Sequence, residues 1–340
     1  MLHVLLSAAL AVAAYTAPRT SLGQPSLEGV WTNASLTRLE RDPKFGKGLV
    51  MSPAQATALE GETNDYVVAN AKPTDPKVGV EFLDTACRAG QKGPACGYNA
   101  GWIDPGTTVM RVNGERRSSF ITSEPDGRVP PLTPQGRANI AKLMASFRGA
   151  AAYDGPETRP MGERCIVSFG NSAGPVMLPL LYNNNYQIVQ TRDEVTILVE
   201  MVHDVRHVRM NSKHVPPHVR PWLGDSIGWW DGPSLVIETT NYHPQQSFRG
   251  SDENLKVTER LTRVGADRLH YAFRVEDPTV FSRPWGGEYE FSAGKGPIYE
   301  YACHEGNYAL HGILAGAREN ERLGKPPGGD GANTQQGDGG

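Results

Sequence analysis

The sequence predicts a mainly β (α+β) protein: an antiparallel β-meander closed into a barrel or sandwich, with two peripheral helices in the N-terminal half. Three observations predict it. The 340 residues include 38 Gly and 26 Pro, a density of turn formers that opposes long helices and favours short strands. From Cys165 onward, runs of alternating apolar and polar residues follow one another at short intervals. The signals between them, Arg192-Asp193, Asp231-Gly232-Pro233 and Gly265-Ala266-Asp267, suit hairpin-like connections, which make neighbouring strands antiparallel. Such a meander has to bury one face, and closing on itself does so.

The elements follow in chain order. Residues 1–23 read as a signal peptide. The apolar run to Ala17 is too short to span a membrane, and Ala11, Ala13, Ala14 and Ala17 suit cleavage, although no Lys or Arg precedes Arg19. Residues 24–163 read as strands, a hairpin and two helices packed on the main domain. Gly29 to Leu36 reads as the first strand. Ser52-Pro53-Ala54-Gln55 starts a helix that runs to about Tyr66. Ala71 to Gly101 reads as loop. Thr107 to Ser123 reads as a hairpin turning on Asn113-Gly114. Thr133-Pro134 opens a second helix carrying Ile140, Leu143, Met144 and Phe147 at helical spacing. Residues 164–320 form the β domain, with strands expected at 186–190, 194–203, 226–230, 234–241, 255–264, 268–275 and 298–304. Residues 321–340 read as a disordered tail.

Composition excludes several classes. Lys plus Arg is 34 and Asp plus Glu is 37, a net charge of -3, so no basic face for nucleic acid is expected. No phosphate-cradling or dinucleotide-binding string is present, no cofactor is expected, and no later segment is apolar enough to span a membrane. Cys87, Cys96, Cys165 and Cys303 make an even count, which in an exported chain suggests two disulfides. Four cysteines allow three connectivities. Cys87–Cys96, closing a short Gly-rich loop, with Cys165–Cys303 is the favoured one. No Cys-x-x-Cys pair is present, so these residues do not read as a zinc site.

Alternation along the strands then selects polar residues by face. Glu259 falls on the apolar row of Leu255, Val257 and Leu261, where a carboxylate is costly unless paired or functional. His203 falls on the row of Val195, Ile197, Val199 and Met201, provided no bulge intervenes, and Glu200, Asp204 and Arg206 on the opposite row. A His beside carboxylates suits general acid/base work. An ion-paired strand end is the plain alternative. His203 and His207 are four apart, a spacing that pairs metal ligands on a helix, but this segment reads as strand and no metal is expected. His304 and Glu305 follow Cys303, so a disulfide there would fix their backbone; a polar cap on a loop is the alternative. Arg206 is a candidate anion or oxyanion holder. Trp229, Trp285, Asn307 and Tyr301 are candidate substrate contacts, with core packing the alternative for the Trp residues. Gly170-Asn-Ser172-Ala-Gly174 and Gly224-Asp-Ser226-Ile-Gly228 match a nucleophile-elbow string, but neither has the strand-to-helix context the elbow needs.

Several strings, among them His203-Asp204-x-Arg206, Trp222-Leu-Gly-Asp-Ser-Ile-Gly228, Leu235-Val-Ile-Glu-Thr-Thr-Asn241 and Tyr299-Glu-Tyr-Ala-Cys-His-Glu-Gly-Asn-Tyr308, resemble a large family of exported bacterial proteins. The resemblance implies export and one shared architecture, and it carries no activity to transfer. The meander also resembles a calycin or lipocalin barrel, which is an analogy of fold. The expected function is an exported enzyme, a lyase, hydratase, isomerase or hydrolase. It acts by cofactor-independent acid/base chemistry on a small hydroxylated, sugar-like or phenolic compound. His203, Asp204, Glu259, His304 and Glu305 are its candidate catalytic groups. A periplasmic binding protein and a structural assembly protein are the alternatives.

Overall fold

The computed structural model describes residues 15–70, 103–147, 149–168, 172–174 and 176–328. The signal stretch up to residue 14, Cys87 and Cys96, and the tail beyond residue 328 lie outside the described residues.

The fold is mainly β, as expected, and the sheet closes into a barrel of nine strands. Its strands are β1 (Gly29–Thr32), β4 (Asn185–Gln190), β5 (Glu194–Val199), β6 (Val205–Met210), β7 (Asp225–Asp231), β8 (Ser234–Thr240), β9 (Lys256–Arg263), β10 (Arg268–Glu276) and β11 (Trp285–Ala293). The order round the barrel is β1-β11-β10-β9-β8-β7-β6-β5-β4 and back to β1. A separate hairpin of β2 (Arg111–Val112) and β3 (Glu115–Arg116) turns on Asn113 and Gly114, both at positive φ, the backbone a type I′ turn demands.

Two features of the meander differ from expectation. β6 and β7 run parallel, because residues 211–224 form a long Pro-containing crossover rather than a hairpin. Residues 298–304 are irregular and pair with no strand. In compensation β11, which the sequence reading passed over, completes the wall. Gly286 and Gly287 make this possible: a Cβ on Gly287 would lie 2.1 Å from the Phe120 carbonyl oxygen, and one on Gly286 2.2 Å from that of Phe273. Only glycine lets the backbones pass so closely.

Among the described residues the α-helices are α1 (Pro53–Asn70), α2 (Pro134–Ser146) and α3 (Tyr308–Arg322). Ser52 and Gln55 form a reciprocal capping box at the start of α1. The Thr133 side chain caps α2 by accepting from the Gly136 N–H. α3 is additional to the two expected helices. Asn307 caps it, and Leu310, Ile313, Leu314 and Ala317 turn inward along one face.

Inward-facing side chains fill the barrel. Val195, Ile197, Val199, Leu235, Ile237, Val257, Leu261, Leu269 and Val275 are buried, with Trp31, Tyr186, Tyr271, Tyr289 and Phe291 among the largest. The chain between β3 and β4 dips into this interior. Tyr186 donates to the Ser172 carbonyl at 2.8 Å, the Met177 N–H donates to the Tyr271 hydroxyl at 3.2 Å, and Tyr289 donates to the Met177 carbonyl.

Candidate functional site

Two places gather some of the polar residues singled out by the sequence: the barrel interior holds Arg206 and Glu259, and a pair of clefts outside it holds His203, Tyr301 and Asn307.

Inside the barrel, Arg206 and Glu259 form an ion pair with side chains 1% and 0% exposed. Arg206 Nη1 donates to Glu259 Oε1 at 3.0 Å, and Nη2 donates to Oε2 and to Thr239 Oγ1. Tyr271 donates to Glu259 Oε1 at 2.7 Å. Glu259 therefore faces inward as its strand parity requires, and the pairing offsets its desolvation. Burial, with Glu259 alongside, holds the Tyr271 hydroxyl well above the ordinary phenol range. Arg206 corrects the expected parity, which assigned it to the outer row.

The cause is a tight turn. His203 and Asp204 were expected inside one long strand. Instead β5 ends at Val199 and β6 begins at Val205, and the Val199 N–H donates to the Asp204 carbonyl at 2.8 Å. Val202 (φ 57°) and His203 (φ 48°) both adopt the left-handed region, a strained conformation for a β-branched residue. The turn exchanges the faces. His203 becomes exposed, whereas Glu200, Asp204 and Arg206 are buried.

Outside the barrel, residues 297–303 run as a strap over β1, β4 and β5. Val30, Gln187 and Leu198 are cross-strand neighbours on the outer wall, and together with His203, Glu200 and Tyr299 of the strap they line a cleft of about 480 Å³. Three anchors hold the strap. Glu200 accepts from the Tyr299 N–H at 3.2 Å and from Asn185 Nδ2 at 2.6 Å. His203 Nδ1 lies 2.9 Å from the Tyr301 carbonyl oxygen. Cys165 and Cys303 are joined by a disulfide. Beyond the strap lies a second cleft of about 460 Å³, between Glu163, the disulfide and the first turns of α3. Glu300 and Tyr301 line both clefts.

A carbonyl oxygen only accepts, so the His203 contact places the proton on Nδ1. In the neutral ring Nε2 is then the acceptor. Asp204 sits behind His203 and accepts from the Ser168 N–H at 2.9 Å. Burial pushes its carboxyl up to about 6, against the opposing pull of that hydrogen bond and of His203. Because folding raises this pKa, the stability contributed by Asp204 is fully present below the unfolded value near 3.8 and is lost as pH rises through about 6. Asp204→Asn, which keeps an acceptor for Ser168, is expected to raise stability at pH 8 by at most about 3 kcal/mol. The gain should close below pH 4. Urea unfolding at the two pH values checks this, and an equal effect at both would reject it.

Comparison with models of known protein families gives no match to this chain, and comparison with curated proteins gives none either.

The remaining sequence candidates divide. Tyr301 lines both clefts. Asn307 lines the second but is committed to structure: it caps α3 and donates to the Glu163 carbonyl at 2.7 Å. His304 and Glu305 were expected on a locked strand end. They are exposed in the turn before α3 and line neither cleft, because the chain after Cys303 turns to start a helix. Trp285, expected against substrate, is 1% exposed and packs against Phe248, Phe273 and Phe281. Trp229 is 37% exposed on β7 and lines neither cleft. Ser226 lies in β7 rather than at an elbow, with its hydroxyl 2.8 Å from Thr239 Oγ1.

Sequence reasoning missed Glu200 as the strap's anchor and Gln187, Leu198 and Tyr299 as cleft walls. Outward residues of three strands become a site only when a distant segment covers them, and no local pattern announces that.

Proposed function

We infer that this chain is an exported enzyme of the hydrolase, lyase or isomerase type, acting by general acid/base chemistry on a small hydroxylated compound held between the strap and the barrel wall. His203 is the base. The observation that carries the reading is the Nδ1 contact to the Tyr301 carbonyl, which fixes one tautomer and leaves Nε2 as a proton acceptor in a cleft. The strained backbone at Val202 and His203 supports it, since such outliers cluster where a side chain has to be presented. Glu300 supplies an exposed carboxylate in the same cleft. Asp204 lies behind His203, its carboxyl pushed up to about 6 by burial.

Export is supported by the apolar N-terminal sequence and by the Cys165–Cys303 disulfide. Among the described residues no helix is long and apolar enough to cross a membrane. Arg206 and Glu259 have a structural role on this reading, as each is engaged by the other inside the barrel. A lipocalin-like carrier is less well supported, because such a carrier uses the barrel lumen, and here buried side chains occupy it together with Ser172 and Met177, which are hydrogen-bonded to the inward Tyr186 and Tyr271.

The test is turnover. The protein is incubated with a panel of neutral sugars, glycosides and plant phenols, and products are followed by proton NMR. His203→Asn keeps a donor for the Tyr301 carbonyl and removes the base. It is expected to lower turnover by about 10²–10⁴-fold while leaving substrate affinity unchanged. Equal turnover by both proteins would remove His203 from the chemistry. Binding without turnover by either would favour the carrier.

A further inference from the structure

We propose that the two clefts act as one site for a neutral, hydroxyl-rich chain, an oligosaccharide that crosses the strap with sugar units on both sides. The proposal rests on the reading of the strap cleft as a substrate site and extends it to the second cleft.

Continuity is the first observation. The clefts, about 480 and 460 Å³, share Glu300 and Tyr301 as their dividing wall. Glu300 and Ala302 are exposed along that divide, so the strap is a saddle over which a chain can lie. A single small molecule would fill one side and leave the other empty.

Charge is the second. No Lys or Arg lines either cleft, whereas Glu163, Glu200 and Glu300 do. Arg159 neutralises Glu163 through a two-point contact at 2.8 and 3.0 Å. Glu200 is satisfied by amide donors, which leave its charge in place. This field repels carboxylate, sulfate and phosphate groups and accepts hydroxyl donors.

Aromatic surface is the third. Tyr299, a wall of the first cleft, is 72% exposed, and Tyr301 lines both clefts. Exposed aromatic faces beside polar acceptors suit the apolar C–H faces of sugar rings, with the hydroxyl edges turned to Glu300 and Gln187. The Tyr299 ring is exposed, and the residue is held by its backbone N–H.

Binding, rather than turnover, tests this. The full chain is titrated calorimetrically with the dimers cellobiose, xylobiose and maltose, with the matching neutral hexamers cellohexaose, xylohexaose and maltohexaose, with hexameric oligogalacturonate and with a chitosan hexamer. At least one neutral hexamer is expected to bind about tenfold or more tighter than its dimer, as a second subsite adds to the first. Tyr299→Ala is expected to weaken the hexamer about tenfold, the size of one aromatic contact, with an unchanged circular dichroism spectrum. Equal affinity for dimer and hexamer would overturn the proposal, as would failure of every neutral hexamer to bind. Tighter binding of the acidic or the cationic hexamer would overturn it too. Should the hexamers fail while His203→Asn still abolishes turnover of a small compound, only the extended site falls. Should they bind while His203→Asn changes nothing, only the acid/base reading falls.

Discussion

Glu259→Gln should destabilise the folded protein by about 3–5 kcal/mol, the cost of leaving a buried cation without its counter-charge. The variant is nearly isosteric, so packing is not the cause. What changes is that the Arg206 guanidinium, 1% exposed, keeps its charge among Thr239, Tyr271 and the barrel wall. Arg206→Met should cost a comparable amount by stranding the carboxylate. The double variant Arg206→Met/Glu259→Leu should cost much less than the sum of the two, since two neutral side chains need no pairing. Its residual cost is the Tyr271 hydroxyl, which loses its acceptor. Urea unfolding of the three variants closes the cycle. Additive losses would mean that water reaches the pair and that the interior is wetter than the packing indicates.

The second large effect is expected from the Cys165–Cys303 bridge. It joins positions 138 apart in sequence, and loop-closure entropy for a span of that size corresponds to about 5 kcal/mol of stabilisation. Cys165→Ala/Cys303→Ala should lose between about 2 and 5 kcal/mol, the usual range for removing a native bridge. It should also lose the clefts, because Cys303 is one of the strap's three anchors. The two consequences separate. Unfolding by urea reports the first. The exposure of Tyr299 and Tyr301 to a small neutral fluorescence quencher under native conditions reports the second. A loss below about 1 kcal/mol would show that the unfolded chain is not restrained by this bridge.

Strands β4, β5, β9 and β10 were legible because their burial alternates with a period of two, and β7 and β8 because Asp231-Gly232-Pro233 marks a turn between two β-like runs. Their turn residues mark the ends, as Gly232 does at φ 59° between β7 and β8. Glu259 was legible for the same reason. Three things were not. β11 contains Gly286 and Gly287, which read as a break and are there because another backbone crosses them. The turn at 200–204 carries no Gly, Pro or Asn, so nothing local marked the left-handed residues that exchange His203 with Asp204. Residues 298–304 look like a strand by composition, yet the neighbouring strands already have partners and the segment has no edge to join. The candidate site was accordingly half legible. His203, a candidate catalytic group, and Tyr301, a candidate substrate contact, both line a cleft, but from a turn and a strap rather than from the strands expected of them. The carboxylate that secures the strap, Glu200, was read as facing outward.

The seam of the barrel has a consequence for biogenesis. β1 lies between β4 and β11, with Trp31 opposite both Tyr186 and Ala293. The earliest stave to leave the ribosome is thus one of the last to find its neighbours, a pairing of very long range that makes assembly slow. Until it arrives, two strand edges stand open and can recruit another chain instead. A polypeptide built this way stays unlocked until β11 has been made. Its hazard is exchange: at high concentration during refolding, one molecule's first strand can complete its neighbour's wall.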